Sequence, residues 1–359
     1  MEVQDHLITL YASEMRKKVF LFACLCVLLT FLAVYAVAAG EYDLSIRSVL
    51  RTIVGLEQGP ATVVVWNIRM PRIAAAIVAG WGLGISGAVI QCLLRNPLGS
   101  PFTLGISHGA AFGAAFAIVV LGAGATQYGA LRTTAVTLVT IRSIYSVTFC
   151  AFLGAMITTA VILFLARIKK MAPEAVILAG VALSSLFLSG TILIQYYATE
   201  VELASVVFWS FVDVSRSSWP EIAVMTGATV IGTIYFALNA WNLNCLAAGD
   251  DVAAGLGVAV EKVRLWGMFV AALLSAFVVA FHGVIAFLGL LAPHIGRRLV
   301  GADHRMLLPH SCVVGALLLL AADTLGRILI GSGTLPVGVL TSFMGAPLFL
   351  YLLVRGQRG

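Results

Sequence analysis

Charge is scarce within the apolar runs of this chain, so each ionisable side chain found there is a candidate for chemistry. Asp323 and Arg327 stand four residues apart in one run, a spacing that sets both on one helix face. Such a pair can neutralise itself as a structural ion pair or take part in an ion pathway. Glu174 opens another run, but no run clearly supplies the mid-membrane carboxylate that an ion-coupled carrier uses. The histidines (His6, His108, His282, His294, His304, His310) are scattered, and four lie near run ends, so they read as polar end or packing residues. Cys24, Cys26, Cys92, Cys150, Cys245 and Cys312 form no C-x-x-C pair and lie mostly in apolar runs, as small buried residues do. No phosphate-binding G-x-x-x-x-G-K-[ST], no G-x-S-x-G and no H-E-x-x-H occurs. The residues therefore predict no catalytic site, no metal site and no cofactor in this chain.

The elements that carry these residues are set by hydropathy. Of 359 residues, 61% are hydrophobic and only 11% charged, against about 45–50% and about 25% in soluble domains. That balance excludes a disordered chain, a nucleic-acid binder and a soluble enzyme. A bilayer core about 30 Å thick takes roughly 20 apolar residues per helix. Ten runs qualify as spans: 19–39, 71–94, 101–122, 144–166, 175–197, 219–238, 263–282, 284–298, 307–328 and 336–354. The first exceeds the ~7–15 residues of a signal-peptide core and reads as a membrane helix. Residues 1–18 are then a cytoplasmic segment, 19–355 the transmembrane domain and 356–359 a cytoplasmic tail. The eighth run is short and interrupted by Pro293.

With the N-terminus inside, ten spans return the C-terminus inside. Every lysine then falls on the cytoplasmic side, as do Arg16, Arg95, Arg167, Arg264, Arg297, Arg298, Arg305, Arg355 and Arg358. This follows the positive-inside rule and accounts for the net charge of +6. Arg47, Arg51, Arg69, Arg72, Arg132, Arg142, Arg216 and Arg327 remain outside, an excess with a separate cause. Gly80 and Gly84, like Gly109 and Gly113, have the four-residue spacing that lets membrane helices approach closely. A glycine-lined path for a bulky solute is the alternative. Residues 41–67 are expected on the outer surface. The main inner-face segment is 239–262. Within it, Asp250 and Asp251 start a short helix that Gly255 and Gly257 close, favourable chemistry at both ends. A capped helix in a cytoplasmic loop suits docking into another protein's groove.

Several segments, in order, resemble one family. They are Arg69 to Arg72 (RMPR), Ser86 to Gly113 (SGAVIQCLLRNPLGSPFTLGISHGAAFG), LAGVAL from Leu178, and the outer loop between Trp209 and Trp219. Then come LAAGDDVAAGLGV from Leu246, GVIAFLGLLAPHIGRRLVGADHRMLLP from Gly283, AADTLGR from Ala321, and LPVGVLTSFMGAPLFLYLL from Leu335. Singly these are weak patterns. Together they resemble the FecCD-type permeases of ATP-driven type II importers for iron-siderophores, haem and vitamin B12.

The resemblance implies an all-α, ten-helix permease in a prokaryotic inner or plasma membrane. It implies a second permease copy, two ATPase subunits that bind ATP and magnesium, and an extracytoplasmic solute-binding protein. Arg69, Arg72 and Arg327 match positions that face the binding protein's carboxylates, though the first two could instead anchor a helix at the headgroups. Leu246, Gly249, Asp250, Asp251, Gly255, Leu256 and Gly257 match the element that couples to the ATPase. The gate corner reads Met171-Ala172-Pro173-Glu174, where the vitamin B12 permease has small hydroxyl residues, so Pro173 and Glu174 are gate candidates by position. The PFTLGIS stretch looks most like iron-chelate members, favouring ferric siderophore over haem or cobalamin. An ion-coupled carrier and an integral membrane enzyme are the competing classes. The first lacks its carboxylate and the second its clustered polar residues.

Overall fold

The structure is a computed structural model, and it describes residues 2–39, 46–56, 59–123, 136–330 and 335–356. Among these the regular elements are helices and no strand occurs. In chain order they are α1 (Glu2–Ala38), α2 (Ile46–Ile53), α3 (Pro60–Leu93), α4 (Ile106–Val120), α5 (Val136–Ile168), α6 (Pro173–Tyr197) and α7 (Glu200–Ser210). There follow α8 (Trp219–Leu238), α9 (Ala240–Ala247), α10 (Asp250–Gly255), α11 (Val260–His282), α12 (Leu288–Val300), α13 (His304–Ile330) and α14 (Val337–Gly356). Seven of them (α1, α3, α5, α6, α8, α11 and α13) are long and apolar enough to cross a membrane. The shorter α4, α12 and α14 fall in the other three expected runs, so each apolar run corresponds to one helix.

The differences lie at the helix ends. Residues 1–18 were expected to precede the first span, yet α1 runs unbroken from Glu2, with a Glu14–Lys17 pair at 2.7 Å supporting that extension. Helix α3 starts at Pro60, where proline's fixed φ and missing N–H suit the first turn. It crosses Pro71 by opening one wide turn, in which the Met70 N–H reaches back to the Val65 carbonyl. The supposed surface segment 41–67 therefore contributes α2 and the first turns of α3, while 40–45 and 57–58 lie outside the described residues. Helix α4 begins late because Pro101 to Gly105 fold into turns, ending on a left-handed Gly105 (φ +78°). Helix α7 opens on a capping box, with Glu202 N–H donating to Thr199 Oγ1 and Thr199 N–H to the Glu202 carboxylate.

Packing is organised around α3, whose most apolar stretch is 83% buried, against 6% in α1 and 11% in α6. That centrality depends on absent side chains. A Cβ at Gly80 or Gly84 would run into the α13 backbone at Gly315 or Ser311, and one at Gly113 would strike Cys150 of α5. The four-residue glycine spacing thus serves close helix contact. Helices α1 and α6 present mostly apolar side chains outward, among them Phe20, Phe31, Leu186 and Ile192, as lipid-facing or partner-facing helices do.

Candidate functional site

Two polar nodes occupy opposite ends of the part of α3 that follows its wide turn, Met70–Leu93. Arg72 lies in its segment just past Pro71, and Leu93 closes it twenty-one residues later, about 30 Å away at the helical rise. That separation matches the thickness of a bilayer core.

At the first end Asp323 is fully buried in α13. Arg72 Nε donates to both of its carboxylate oxygens, at 2.9 and 3.1 Å, and Arg327 Nε stands 3.3 Å from Oδ2. Arg327 also donates to the Ala36 and Ala39 carbonyls at 3.2 and 3.1 Å, while Arg69 donates to Val37 and Ala38 at 2.7 and 3.1 Å. These carbonyls end α1, where helix geometry leaves acceptors without partners and the dipole favours cations. Arg69 and Arg72 are buried (5% and 8% exposed) and the Arg327 side chain is 10% exposed. Sequence reasoning set these three arginines facing a partner protein. As placed, they are engaged inside the chain, tying α1, α3 and α13 together. Arg47 and Arg51, on α2 nearby, are exposed.

At the other end, α10 is a six-residue helix that buries only Ala253 and exposes Asp251 and Val252, with Leu256 exposed just past its end. Gly249 (φ +125°) precedes it and Gly257 (φ +82°) follows it, both left-handed; Gly255 is an ordinary helical residue. Asp250 is engaged within the chain, with its side chain 36% exposed. It accepts two hydrogen bonds from Arg264 of α11, Nη2 to Oδ1 at 2.8 Å and Nη1 to Oδ2 at 3.1 Å, with Arg95 Nε 4.0 Å away. Those hydrogen bonds hold the Asp250 carboxyl below the usual carboxylate range, against partial burial. Arg264 is 1% exposed and also donates to Leu93 O at 2.9 Å and Met171 O at 3.0 Å.

Met171 lies in the corner between α5 and α6. Lys170 and Met171 are both left-handed (φ +51° and +57°) although neither is glycine. Pro173, buried, occupies the first turn of α6, and Glu174 is exposed beside it, a favourable position for a carboxylate. Two further links join the same end. Arg297 donates to Gln91 Oε1 at 2.8 Å, and Gln91 donates to Leu290 O in the turn that precedes Pro293. Asn244 of α9 donates to Asp303 at 2.8 Å and accepts from the His304 N–H at 2.8 Å.

Sequence reasoning missed Arg264, Gln91 and Asn244. Arg264 was available as a charge one residue inside an apolar run, with two aspartates in the loop before it. Counting it among loop charges concealed it. Among the described residues, no group of three or more His, Cys, Asp or Glu is placed to hold a metal ion. The cavity between Phe211, Val212, Val284, Val339, Phe343 and Pro347, about 450 Å³, is lined mainly by apolar groups, with Ser210 and Ser342 beside them.

Over its described residues the chain is a helix bundle with seven helices long and apolar enough to cross a membrane and a polar node at each end of its central helix segment. The chain belongs to the FecCD transport family, whose model matches residues 27–355. That family comprises the permease subunits of ATP-binding-cassette (ABC) importers, with the ATPase on a separate chain. A permease of Methanocaldococcus jannaschii, named as an ABC transporter permease protein, is 48% identical over 96% of this chain and 97% of its own length. The hemin transport system permease of Yersinia pestis is 35% identical, covering 92% of this chain and 94% of its own. An inward-facing structure of a metal-chelate type ABC transporter superposes with a TM-score of 0.78 at 30% identity, covering 94% of this chain and 99% of the other. Further relatives are named for Fe(3+)-citrate, vitamin B12 and molybdate import.

Proposed function

We propose that this chain is the translocating subunit of an ATP-driven importer of metal chelates, with ferric siderophore as the leading cargo. Haem and cobalamin are the alternatives. The observation that carries the reading is α10, a short helix that, with Leu256 just past its end, exposes Asp251 and Val252 and buries little against its own chain. A helix held that way is suited to a groove on another subunit, the mode by which short helices dock. The α10 end is then cytoplasmic, with both termini, and two ATPases carrying ATP and magnesium sit beneath a permease homodimer.

A solute-binding protein would seat at the Arg72 end. There the exposed Arg47 and Arg51 offer charge for steering, while Arg69, Arg72 and Arg327 shape the ledge from within. The similarity of PFTLGIS (Pro101–Ser107) to iron-chelate members supports the siderophore assignment. Relatives named for hemin, vitamin B12 and molybdate show how widely cargo varies within this fold. Pro173 and Glu174, beside the left-handed corner, are the proposed cytoplasmic gate.

The test is co-purification with the ATPase encoded beside this chain, wild type against Asp251→Arg/Leu256→Glu. Both substitutions alter the exposed face and spare the Asp250–Arg264 pair. ATP hydrolysis in liposomes is then measured with the neighbouring binding protein, with and without a ferric siderophore. Wild-type assembly and siderophore-stimulated hydrolysis, both lost in the variant, are expected. A wild-type chain that binds no ATPase overturns the reading and revives an ion-coupled carrier.

A further inference from the structure

Arg264 belongs to no surface. Among the described residues it is one of the largest fully buried side chains, and four hydrogen bonds from its guanidinium reach three separate pieces of the chain. Nη1 and Nη2 hold the two oxygens of Asp250, in the first turn of α10. Nη1 also holds the Met171 carbonyl in the α5–α6 corner. Nε holds the Leu93 carbonyl, one of the acceptors left open at the end of α3. A planar fork of five donors suits such divergent acceptors, whereas an ammonium group lacks the geometry.

The corner it grips is not at rest. Lys170 and Met171 are consecutive non-glycine residues in the left-handed region. Such a pair persists only where the surroundings hold it. The Met171 N–H is tied to Ala166 O at 2.7 Å, and its carbonyl to Arg264. The helix next in the chain begins at Pro173, so the corner's conformation sets where α6 starts.

We propose that Arg264 is the transmission residue through which displacement of α10 reaches the α5–α6 corner, making the two move as one body. This rests on the importer reading above and deepens it. Arg264 touches neither cargo nor nucleotide in this role; it positions the corner through Met171. Asp250 is then the inner half of the latch, while Asp251 and Leu256 form the face offered to the ATPase.

The experiment uses the assembled transporter in lipid nanodiscs and liposomes, as wild type, Arg264→Gln and Arg264→Lys. One readout is chelate imported per ATP hydrolysed. The other is the distance between spin labels at Lys169 and at Ala254, an exposed α10 position outside the face formed by Asp251, Val252 and Leu256, with and without trapped nucleotide. In the wild type that distance stays constant through the cycle. In Arg264→Gln it changes with nucleotide, and import per ATP falls about tenfold, within the span of coupling free energies between linked sites. Arg264→Lys falls between the two, and it decides the matter if the glutamine variant fails to assemble. Wild-type import per ATP in Arg264→Lys, or a nucleotide-dependent distance in the wild type, overturns the proposal. Failure of the wild-type chain to bind an ATPase would instead overturn the importer reading.

Discussion

Asp323 receives Arg72 on both carboxylate oxygens, from a helix 251 residues away in sequence, while its neighbour Arg327 stands 3.3 Å off. The carboxylate is wholly enclosed, so the arrangement is a buried ion network. Removing one member of such a network leaves charge uncompensated, at a cost of roughly 3–5 kcal/mol. Asp323→Asn would keep the shape and delete the charge, leaving two guanidinium groups facing each other. Its melting temperature in detergent should fall well below that of the wild type. An unchanged melting curve would show that lipid or solvent already neutralises the cluster.

The close approach of α3 to α13 makes a second expectation. Any Cβ at Gly84 would meet the Ser311 carbonyl, and backbone cannot swing aside as a side chain can. Overpacking typically costs about 1–3 kcal/mol, occasionally more, and Gly84→Val should reach the upper part of that range. Gly227, in α8, has nothing within 4 Å of its missing Cβ. There Gly227→Ala should be neutral or stabilising by up to about 1 kcal/mol. Thermal unfolding of the two variants side by side checks the contrast, and equal losses would refute it.

How much of this was legible in the sequence follows from the physics of each signal. The ten apolar runs were readable as helices, seven of them long enough to cross a membrane, because burying backbone in lipid demands long apolar helices and hydropathy reports that demand directly. Helix ends were less readable. Pro60 and Pro71 both resemble stops, yet the wide turn at 64–69 lets α3 run through the second. The short helix α10 was legible through its acidic start and flanking glycines, because the chemistry of helix ends is local. The partners of Asp250 were not, since Arg264 is fourteen residues on and the carbonyls of Leu93 and Met171 come from elsewhere. The arginines at the other end illustrate the same limit. Their sequence positions show charge near a span end, but only packing shows that α1's terminal carbonyls already occupy Arg69 and Arg327.

The Asp250–Arg264 latch has a defined pH window. The folded-state pKa of Asp250 is depressed by Arg264. Its stabilising contribution is therefore fully present above the ordinary carboxylate value, about 3.9, and is lost only as pH falls through the lower folded value. Between pH 5 and 8 the latch should not respond to protons. Nitroxide mobility at Val252 measures this: a flat profile across that range, with loosening only in stronger acid, is expected. A transition near neutrality would mean that a group other than Asp250 controls α10.

Helix α1 gives the last expectation, because so little of its apolar stretch is buried in the chain. Its end is held mainly by donors from other helices: Arg69 to Val37 and Ala38, and Arg327 to Ala36 and Ala39. Hydrogen bonds from charged groups contribute about 1.5–3 kcal/mol each. Arg69→Met keeps the aliphatic stem and removes both donations. The loss should therefore appear locally, as faster amide exchange in residues 35–39, by about tenfold for each 1.4 kcal/mol of local stability removed. Exchange in the glycine-packed middle of α3 should hardly change, because its contacts with α13 do not involve Arg69. If exchange instead rose equally throughout α3 and α13, Arg69 would be part of the global core, and α1 would owe its place to lipid rather than to the arginines at its end.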